Sequence, residues 1–424
     1  MKSGFLFIFL FLFINQCTLK TKHIKDYKPQ KFIVDENIPK KSLKLIDKIN
    51  LEENEDIIIN FISGIAIGND NNFIITNEAD RTAILYNYEN GGIIKSIFAG
   101  QDLADSVANA GSKPYDYYNK HLRYIKSDEY KSKGLTDKGI EMIKSYYTIP
   151  SYFKNCTYLL SLIYVPATSE NENFNTLGNR TVLICFNNDM MLQSIITFEL
   201  NEKAYPSPFY FEILKNSNIV MSSTNFDYKN KSFDSLVTSA LYDSTGKFLN
   251  NIGYLPEIYK KNKLVYEEKW RPILTGIDDS IFLAYPRDLD IYGPGQKVRF
   301  RLKNLPFTND SGMAFVTDFY RLKRIQESNP DPKELGNLLP ITIIYTFNSN
   351  GNYGIVLLVF DKEQPMGFYY IAQEYDLKGN LLNQTRIYDE PGNQIRNFVF
   401  DKYNSYLCIV SKNKDGWTLE KRKW

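Results

Sequence analysis

From residue 42 onward, short apolar runs alternate with clusters of Asn, Asp, Gly and Lys. Runs of about four to eight apolar and β-branched residues between such turn-forming clusters are typical of antiparallel strands. The clearest unit predicts strands at 209–214, 219–224, 236–242 and 248–252. Four strands in so short a stretch match one blade of a β-propeller. The sequence therefore favours an all-β fold.

One phrase recurs at the close of these units: a strand ending in Tyr or Phe, a polar turn with Gly or Asn, and another apolar strand. Its two best copies lie at 241–249 and 374–382, with looser copies at 85–98 and 185–198. The glycine stands where such a turn needs a positive φ, and the Asp caps the turn locally. A recurring turn of this kind indicates a repeating architecture.

Three further hairpins bring the count to about six blades, and they lie at 58–76, 271–285 and 341–360. The last stretch, 398–424, supplies three strands, and we expect 43–49 to add the fourth. Pairing the two chain ends would remove exposed strand edges. We therefore predict that 42–424 forms one propeller of about six four-stranded blades, which resembles six-bladed propellers in spacing and turns. Tandem β-sandwich domains are the alternative, because they have similar strands without the repeated phrase.

Two segments near 101–150 and 306–340 interrupt the repeat. The first contains 136–147, where Ile140, Ile143 and Tyr147 have helical spacing, and the second contains a helix-like stretch at 313–326. We expect both insertions on one rim of the ring, where propeller loops often carry function. Decoration that covers a face of the ring is the equal alternative.

The N-terminus predicts export. Lys2 precedes an unbroken apolar run at 5–14, which is too short to span a bilayer but suits a signal peptide. The run ends at 13–17 in Phe-Ile-Asn-Gln-Cys. This ending resembles the lipobox of bacterial lipoproteins, in the relaxed form familiar among spirochaetes, with Gln16 where Gly, Ala or Ser is usual. Plain secretion is the alternative, although no small residues precede Cys17.

The resemblance implies that the signal peptide 1–16 is removed and that Cys17 carries acyl chains such as palmitate. Several acyl chains anchor a protein stably to a membrane, whereas a single acyl chain gives only reversible binding. The Lys-rich segment 17–41 then reads as the lipidated N-terminus and a flexible tether. We expect a cell-envelope location, with outer membrane, periplasmic face and cell surface left open.

Composition limits the partners. A formal net charge of +2 argues against nucleic-acid binding, and 43% hydrophobic residues allow a large folded core. If Cys17 is acylated, the other cysteines are Cys156, Cys185 and Cys408, all in apolar runs. We interpret them as small hydrophobic residues inside strands.

Catalytic constellations are missing from the sequence. The two histidines, His23 and His121, cannot build a metal cluster or a triad in the core. Ser244 to Lys247 matches Ser-x-x-Lys, but it stands in a predicted turn instead of opening a helix. Several acidic residues could in principle hold calcium in a propeller channel, although each one reads better as a turn residue. They are Asp70, Asp278, Asp279, Asp288 and Asp290.

A Tyr-rich cluster is the main recognition candidate, since Tyr is favoured at binding surfaces. Its members are Tyr115, Tyr117, Tyr118, Tyr124, Tyr130, Tyr146, Tyr147 and Tyr152. We therefore predict a membrane-anchored envelope lipoprotein whose propeller binds a protein or glycan partner without a cofactor, and we favour a binding module over an enzyme. A metal-dependent propeller hydrolase and a purely structural envelope protein are the alternatives.

Overall fold

The computed structural model describes residues 30–31, 43–110, 122–124, 146–169, 175–201, 205–224, 236–261, 271–308, 341–361, 364, 366–387 and 393–424. Within them, the strands form six antiparallel sheets that are the blades of a six-bladed β-propeller. The predicted propeller is confirmed, and the alternative of tandem β-sandwich domains is wrong. The strands of the predicted unit at 209–252 all belong to one blade, as expected.

The first half of the chain builds three blades. Two strands come before them, β1 (Gln30–Lys31) and β2 (Lys44–Asn50). Blade 1 contains β3 (Ile62–Ile67), β4 (Asn72–Asn77), β5 (Thr82–Asn87) and β6 (Ile93–Phe98). A three-residue strand, β7 (Leu122–Tyr124), adds to blade 2, which contains β8 (Tyr146–Phe153), β9 (Cys156–Ser169), β10 (Asn175–Phe186) and β11 (Leu192–Thr197). Blade 3 contains β12 (Tyr205–Ile213), β13 (Ile219–Thr224), β14 (Val237–Tyr242) and β15 (Phe248–Tyr254).

The second half builds the other three blades. Blade 4 contains β16 (Ile273–Ile277), β17 (Ser280–Ala284), β18 (Asp290–Gly293) and β19 (Lys297–Arg301), and it is followed by β20 (Phe307–Thr308). Blade 5 contains β21 (Ile341–Ser349), β22 (Asn352–Phe360), β23 (Phe368–Tyr375) and β24 (Leu381–Ile387). Blade 6 contains β25 (Gln394–Asp401), β26 (Tyr406–Asn413) and β27 (Gly416–Lys423), with β2 as its outermost strand.

Helices are short and lie between or within blades. Helix α1 (Gln101–Asn109) follows blade 1, α2 (Glu257–Lys261) follows blade 3, and a 3₁₀ turn (Pro294–Gln296) joins two strands of blade 4. The sequence did not predict α1, which packs its apolar side into the core between blades 1 and 2.

The predicted helix at 136–147 is wrong at its end. Tyr146 and Tyr147 begin strand β8, where Tyr147 pairs with Ser161, because two adjacent aromatic residues fit a half-buried strand better than a helix. The rest of that stretch and the second predicted helix at 313–326 lie outside the described residues.

The hydrophobic core is divided among the six interfaces between neighbouring blades. Each interface is filled by side chains from both blades; Phe300 of blade 4 and Tyr375 of blade 5, for example, stack with their ring centroids 5.2 Å apart. Fully burying a large apolar side chain contributes about 1.5–3 kcal/mol, so each blade depends on its neighbours for stability.

The ring closes as predicted, because β2 from the N-terminal region pairs with β27 from the C-terminus. A buried polar cluster ties this blade to blade 1. The Tyr88 hydroxyl donates to the Asp401 carboxylate at 2.9 Å and lies 3.3 Å from Cys408 Sγ. The Lys421 ammonium donates to Asp47 at 3.0 Å and lies 4.1 Å from the Tyr88 ring centroid. Both chain ends thus contribute to one set of contacts.

The glycine of the repeated phrase has the predicted conformation. Gly246 and Gly379 both have positive φ, at 88° and 82°. Each turn also presses against the preceding blade: a Cβ on Gly246 would lie 2.3 Å from the Thr197 carbonyl oxygen, and one on Gly379 would lie 2.2 Å from Phe300 Cβ. The phrase therefore encodes both a turn and a contact between blades.

The N-terminal segment departs in one respect from a free tether. Within 17–41, the two residues of β1 pair with β20, so this part of the predicted tether contacts the propeller. The predicted signal peptide and Cys17 lie outside the described residues. In the part of the chain that the structure describes, no helix is both long enough and apolar enough to cross a bilayer.

Candidate functional site: the central channel

The first strand of every blade lines a central channel. These six inner strands are β3, β8, β12, β16, β21 and β25, and each contacts the inner strands of both neighbouring blades. Gly276 lies beside Glu212, and its carbonyl oxygen accepts a hydrogen bond from Asn348 at 3.2 Å. All three are the next-to-last residues of their strands. The inner strands therefore run in the same direction, and the channel has two distinct mouths.

We call the mouth where the inner strands begin the front mouth and the other the rear mouth. Every connection from one blade to the next leads into the start of an inner strand and so arrives at the front mouth. Both predicted insertions fall within such connections, but 111–121, 125–145 and 309–340 lie outside the described residues, and the position of the insertions on one rim stays a prediction. The rear mouth is bounded by hairpins of only two to five residues between the first and second strands of each blade.

The channel contains a cavity of about 500 Å³ that is lined by residues from all six inner strands. This volume is within the range of about 300–1,000 Å³ that is usual for small-ligand pockets. Its wall mixes aliphatic, aromatic and hydroxyl side chains. The cavity is therefore large enough for a small molecule or for the end of a larger one.

Backbone groups add polarity to this wall. Among the described strands, each inner strand pairs with another on one side only, so its second edge faces the channel. An edge of this kind presents both N–H donors and C=O acceptors. Side chains satisfy some of them, as at Gly276, and those without a protein partner are open to water or a ligand. These backbone groups can both donate and accept, and they carry no net charge.

Aromatic side chains gather at the front mouth. Phe61 precedes β3 and is 57% exposed, while Phe209 of β12 is 41% exposed. Residues 207–210 bulge out of β12, because the four of them stand opposite Ser222 alone. The Arg271 guanidinium lies 3.8 Å from the Phe209 ring centroid, which holds this ring beside the start of blade 4. These rings form exposed apolar surface next to the cavity.

The rear part of the channel contains Glu212. Its carboxyl group accepts a hydrogen bond from the backbone N–H of Gly276, and burial raises its pKa to about 8 despite the opposing effect of Lys402. Gly276 makes this position possible, since a Cβ there would lie 2.8 Å from Glu212 Cγ and 2.9 Å from Oε1. The charged side chains among the described lining residues are Glu78, Glu212 and Lys402. Burial also raises the pKa of Glu78.

The acidic residues considered as calcium ligands do not line the channel. Asp278 and Asp279 form the predicted turn of blade 4 and contact the neighbouring turn of blade 3. Asp288 is buried inside blade 4, where it accepts a hydrogen bond from the Tyr292 hydroxyl at 2.7 Å, and burial raises its pKa to about 6. Asp290 lies 3.8 Å from Arg301. Across the described ranges, no three His, Cys, Asp or Glu side chains are grouped as a metal site would need.

The Tyr-rich cluster is divided by the fold. Tyr146 and Tyr152 line the channel, but Tyr147 is 1% exposed and belongs to the core between blades 1 and 2, so its predicted role in recognition is wrong. Tyr124 lies in β7. The other four lie outside the described residues, as do both histidines.

Two further predictions concern residues outside the channel. The Ser-x-x-Lys match is a turn, in which Asp243 accepts hydrogen bonds from the backbone N–H groups of Thr245 and Lys247. Cys185 and Cys408 are buried inside strands, as predicted, and Cys156 begins β9 and is partly exposed. Sequence reasoning missed Glu212, because a single Glu in an apolar strand carries no local signal of the channel.

No protein-family model matches the chain, and neither does any curated protein. Solved structures of similar shape include the PQQ-bound aldose sugar dehydrogenase from Streptomyces coelicolor, at 9% identity and a TM-score of 0.46, covering 91% of this chain and 99% of that one. Another is a Bacteroides fragilis NCTC 9343 protein described as exported, at 12% identity and a TM-score of 0.42, covering 91% of this chain and 87% of that one. Virginiamycin B lyase from Staphylococcus aureus, with quinupristin, has 10% identity and a TM-score of 0.37, over 90% and 100%. Similarity at this level carries no information on what this chain binds.

Proposed function

We propose that this chain is a lipid-anchored envelope protein whose β-propeller binds a glycan in its central channel. The cavity of about 500 Å³ carries the proposal, because its wall combines channel-facing strand edges with hydroxyl and aromatic side chains. A saccharide is uncharged, carries hydroxyl groups that both donate and accept, and has apolar ring faces that pack on aromatic rings. The exposed rings of Phe61 and Phe209 lie where a glycan would enter.

The anchor rests on the sequence of the N-terminus. The apolar run at 5–14 and the cysteine at 17 support acylation of Cys17 after export. Residues 18–29 separate this cysteine from β1, and 12 extended residues reach roughly 40 Å. A tether of that length would keep the propeller close to the membrane surface.

A protein partner at the front mouth is the second candidate. It is favoured by Phe61, Phe209 and Ile58, the last of which is 55% exposed. The Arg271 guanidinium beside Phe209 also favours it. Aromatic and Arg side chains often dominate protein interfaces. The metal-dependent hydrolase receives no support from the acidic residues that the structure describes.

Saturation-transfer NMR on the full chain tests glycan binding, in a detergent without sugar headgroups. The probes are glucose, galactose, N-acetylglucosamine, maltose and N,N′-diacetylchitobiose. We expect saturation transfer to at least one probe, and weaker transfer after Phe61→Ala and Phe209→Ala. Leu249→Ala is the control, since Leu249 is 45% exposed on an outer strand. If none of the probes shows saturation transfer, the proposal of glycan binding is contradicted, and a protein partner becomes the favoured ligand.

Intact mass and detergent partitioning test the anchor. We expect acyl mass on the native protein and its recovery in the detergent phase, and neither for Cys17→Ala. An unacylated native protein in the aqueous phase would show that Gln16 prevents lipidation and that the propeller is freely secreted.

A further inference from the structure

We infer that Glu212 holds the end of a bound saccharide at the rear of the channel, through hydrogen bonds to neighbouring hydroxyl groups. This inference rests on the proposed glycan binding and assigns its polar contact. Glu212 lines the cavity from the next-to-last position of β12, close to the rear mouth. A glycan that enters past Phe61 and Phe209 would meet this carboxyl group last.

The neighbouring glycine fixes the carboxyl group in place. Gly276 leaves the space that the Glu212 side chain fills, and its N–H donates to an oxygen of the carboxyl group. A carboxyl group has two oxygen atoms, so one such bond orients the group and leaves further bonding capacity. Two nearby oxygens of one carboxyl group can bond two adjacent hydroxyl groups of a sugar ring.

The neutral polar side chains nearest to Glu212 already have partners. The hydroxyl groups of Thr275 and Thr346 lie 2.5 Å apart, and the Tyr345 hydroxyl accepts from the Phe400 backbone N–H at 2.9 Å. Asn348 donates to the Gly276 carbonyl oxygen. Lys402 is the other described side chain here that could contact a ligand, but it can only donate, whereas the Glu212 carboxyl group can also accept.

The charge state also suits an uncharged ligand. Glu212 faces Lys402, which lowers its pKa, and Tyr345, but burial has the larger effect and raises the pKa to about 8. The group is therefore mostly protonated at neutral pH, and a protonated carboxyl group both donates and accepts. A cationic ligand would instead need the ionised form.

Affinity for the best-binding saccharide tests this role in three variants. Glu212→Ala removes the contact and should weaken binding about tenfold, which is typical of losing one or two ligand hydrogen bonds. Glu212→Gln keeps one donor and one acceptor group and should stay within about threefold of the native affinity. Gly276→Ala places a Cβ against the carboxyl group and should resemble Glu212→Ala. Glu89→Gln changes an exposed residue outside the channel and serves as the control.

The outcomes separate this inference from the proposed function. If no saccharide binds the native protein, both are overturned. If a saccharide binds and Glu212→Ala retains full affinity, only the role of Glu212 is overturned. Equal losses in Glu212→Gln and Glu212→Ala would also contradict it, because a neutral donor and acceptor at this position would then fail to replace the protonated carboxyl group. Circular dichroism identifies any variant that fails to fold. If Gly276→Ala fails to fold, the comparison of Glu212→Ala with Glu212→Gln decides the question.

Discussion

Gly246 offers a direct test of how the blades are held together. It lies in the turn between β14 and β15, with φ of 88°. A Cβ at this position would lie 2.3 Å from the Thr197 carbonyl oxygen and 3.1 Å from Ile196 Cγ2, both in the last strand of the preceding blade. Gly246→Ala therefore strains the turn and also pushes blade 3 away from blade 2.

The two effects can be separated in magnitude. A non-glycine residue at positive φ costs about 1–2 kcal/mol. Forcing an extra methyl group into a packed interface costs about 1–3 kcal/mol more. Gly246→Ala should therefore lower the free energy of unfolding by about 2–5 kcal/mol. Gly351→Ala is the matched control, since Gly351 has φ of 93° and a Cβ there would meet no atom of the described residues within 4 Å. It should lose only about 1–2 kcal/mol.

Urea unfolding followed by tryptophan fluorescence measures both variants. The expected result is a midpoint for Gly246→Ala that lies clearly below that of Gly351→Ala, with unchanged slopes. Equal losses of unfolding free energy in the two variants would refute the argument, because they would mean that close packing of the Gly246 turn against blade 2 does not affect stability. A slope that changes in only one variant would show that the transition has ceased to be cooperative.

Two further changes test the ring closure and the channel. Tyr88→Phe removes one of the donors to buried Asp401 and should cost about 1–2 kcal/mol of unfolding free energy in urea. Tyr403→Phe changes a residue that is 48% exposed and should cost less than about 0.5 kcal/mol. Equal losses in the two variants would contradict a stabilising role for the buried polar cluster around Tyr88 and Asp401. The raised pKa of Glu212, to about 8, means that the native state keeps a proton that the unfolded chain releases near pH 4.5, even with Lys402 nearby. Native stability should therefore fall between about pH 4.5 and 8 relative to Glu212→Gln, by about 4–5 kcal/mol, and a constant difference across urea titrations at several pH values would be evidence against it.

Much of the fold could be predicted because its signals are local. The polar turns with glycine at 246 and 379 are encoded within nine residues, and the strands beside them follow from apolar runs. Helix α1 was missed, because its apolar side is narrow and gains stability mainly from packing between blades 1 and 2. The strand at Tyr146 and Tyr147 was mistaken for a helix end for a related reason, since pairing with β9 decides their conformation.

The sequence by itself determined the repeat, the turns and the closure of the ring, because turn chemistry and strand patterning act over a few residues and the chain ends supply complementary strands. Tertiary structure alone decided the channel. Glu212 and Gly276 are 64 positions apart, and they meet because twisted blades bring successive inner strands around one axis. The same geometry placed Asp278 and Asp288 away from that axis. Their positions in the sequence did not indicate whether they would lie near the axis or away from it. Convergence of side chains depends on blade curvature, which no short stretch of sequence records.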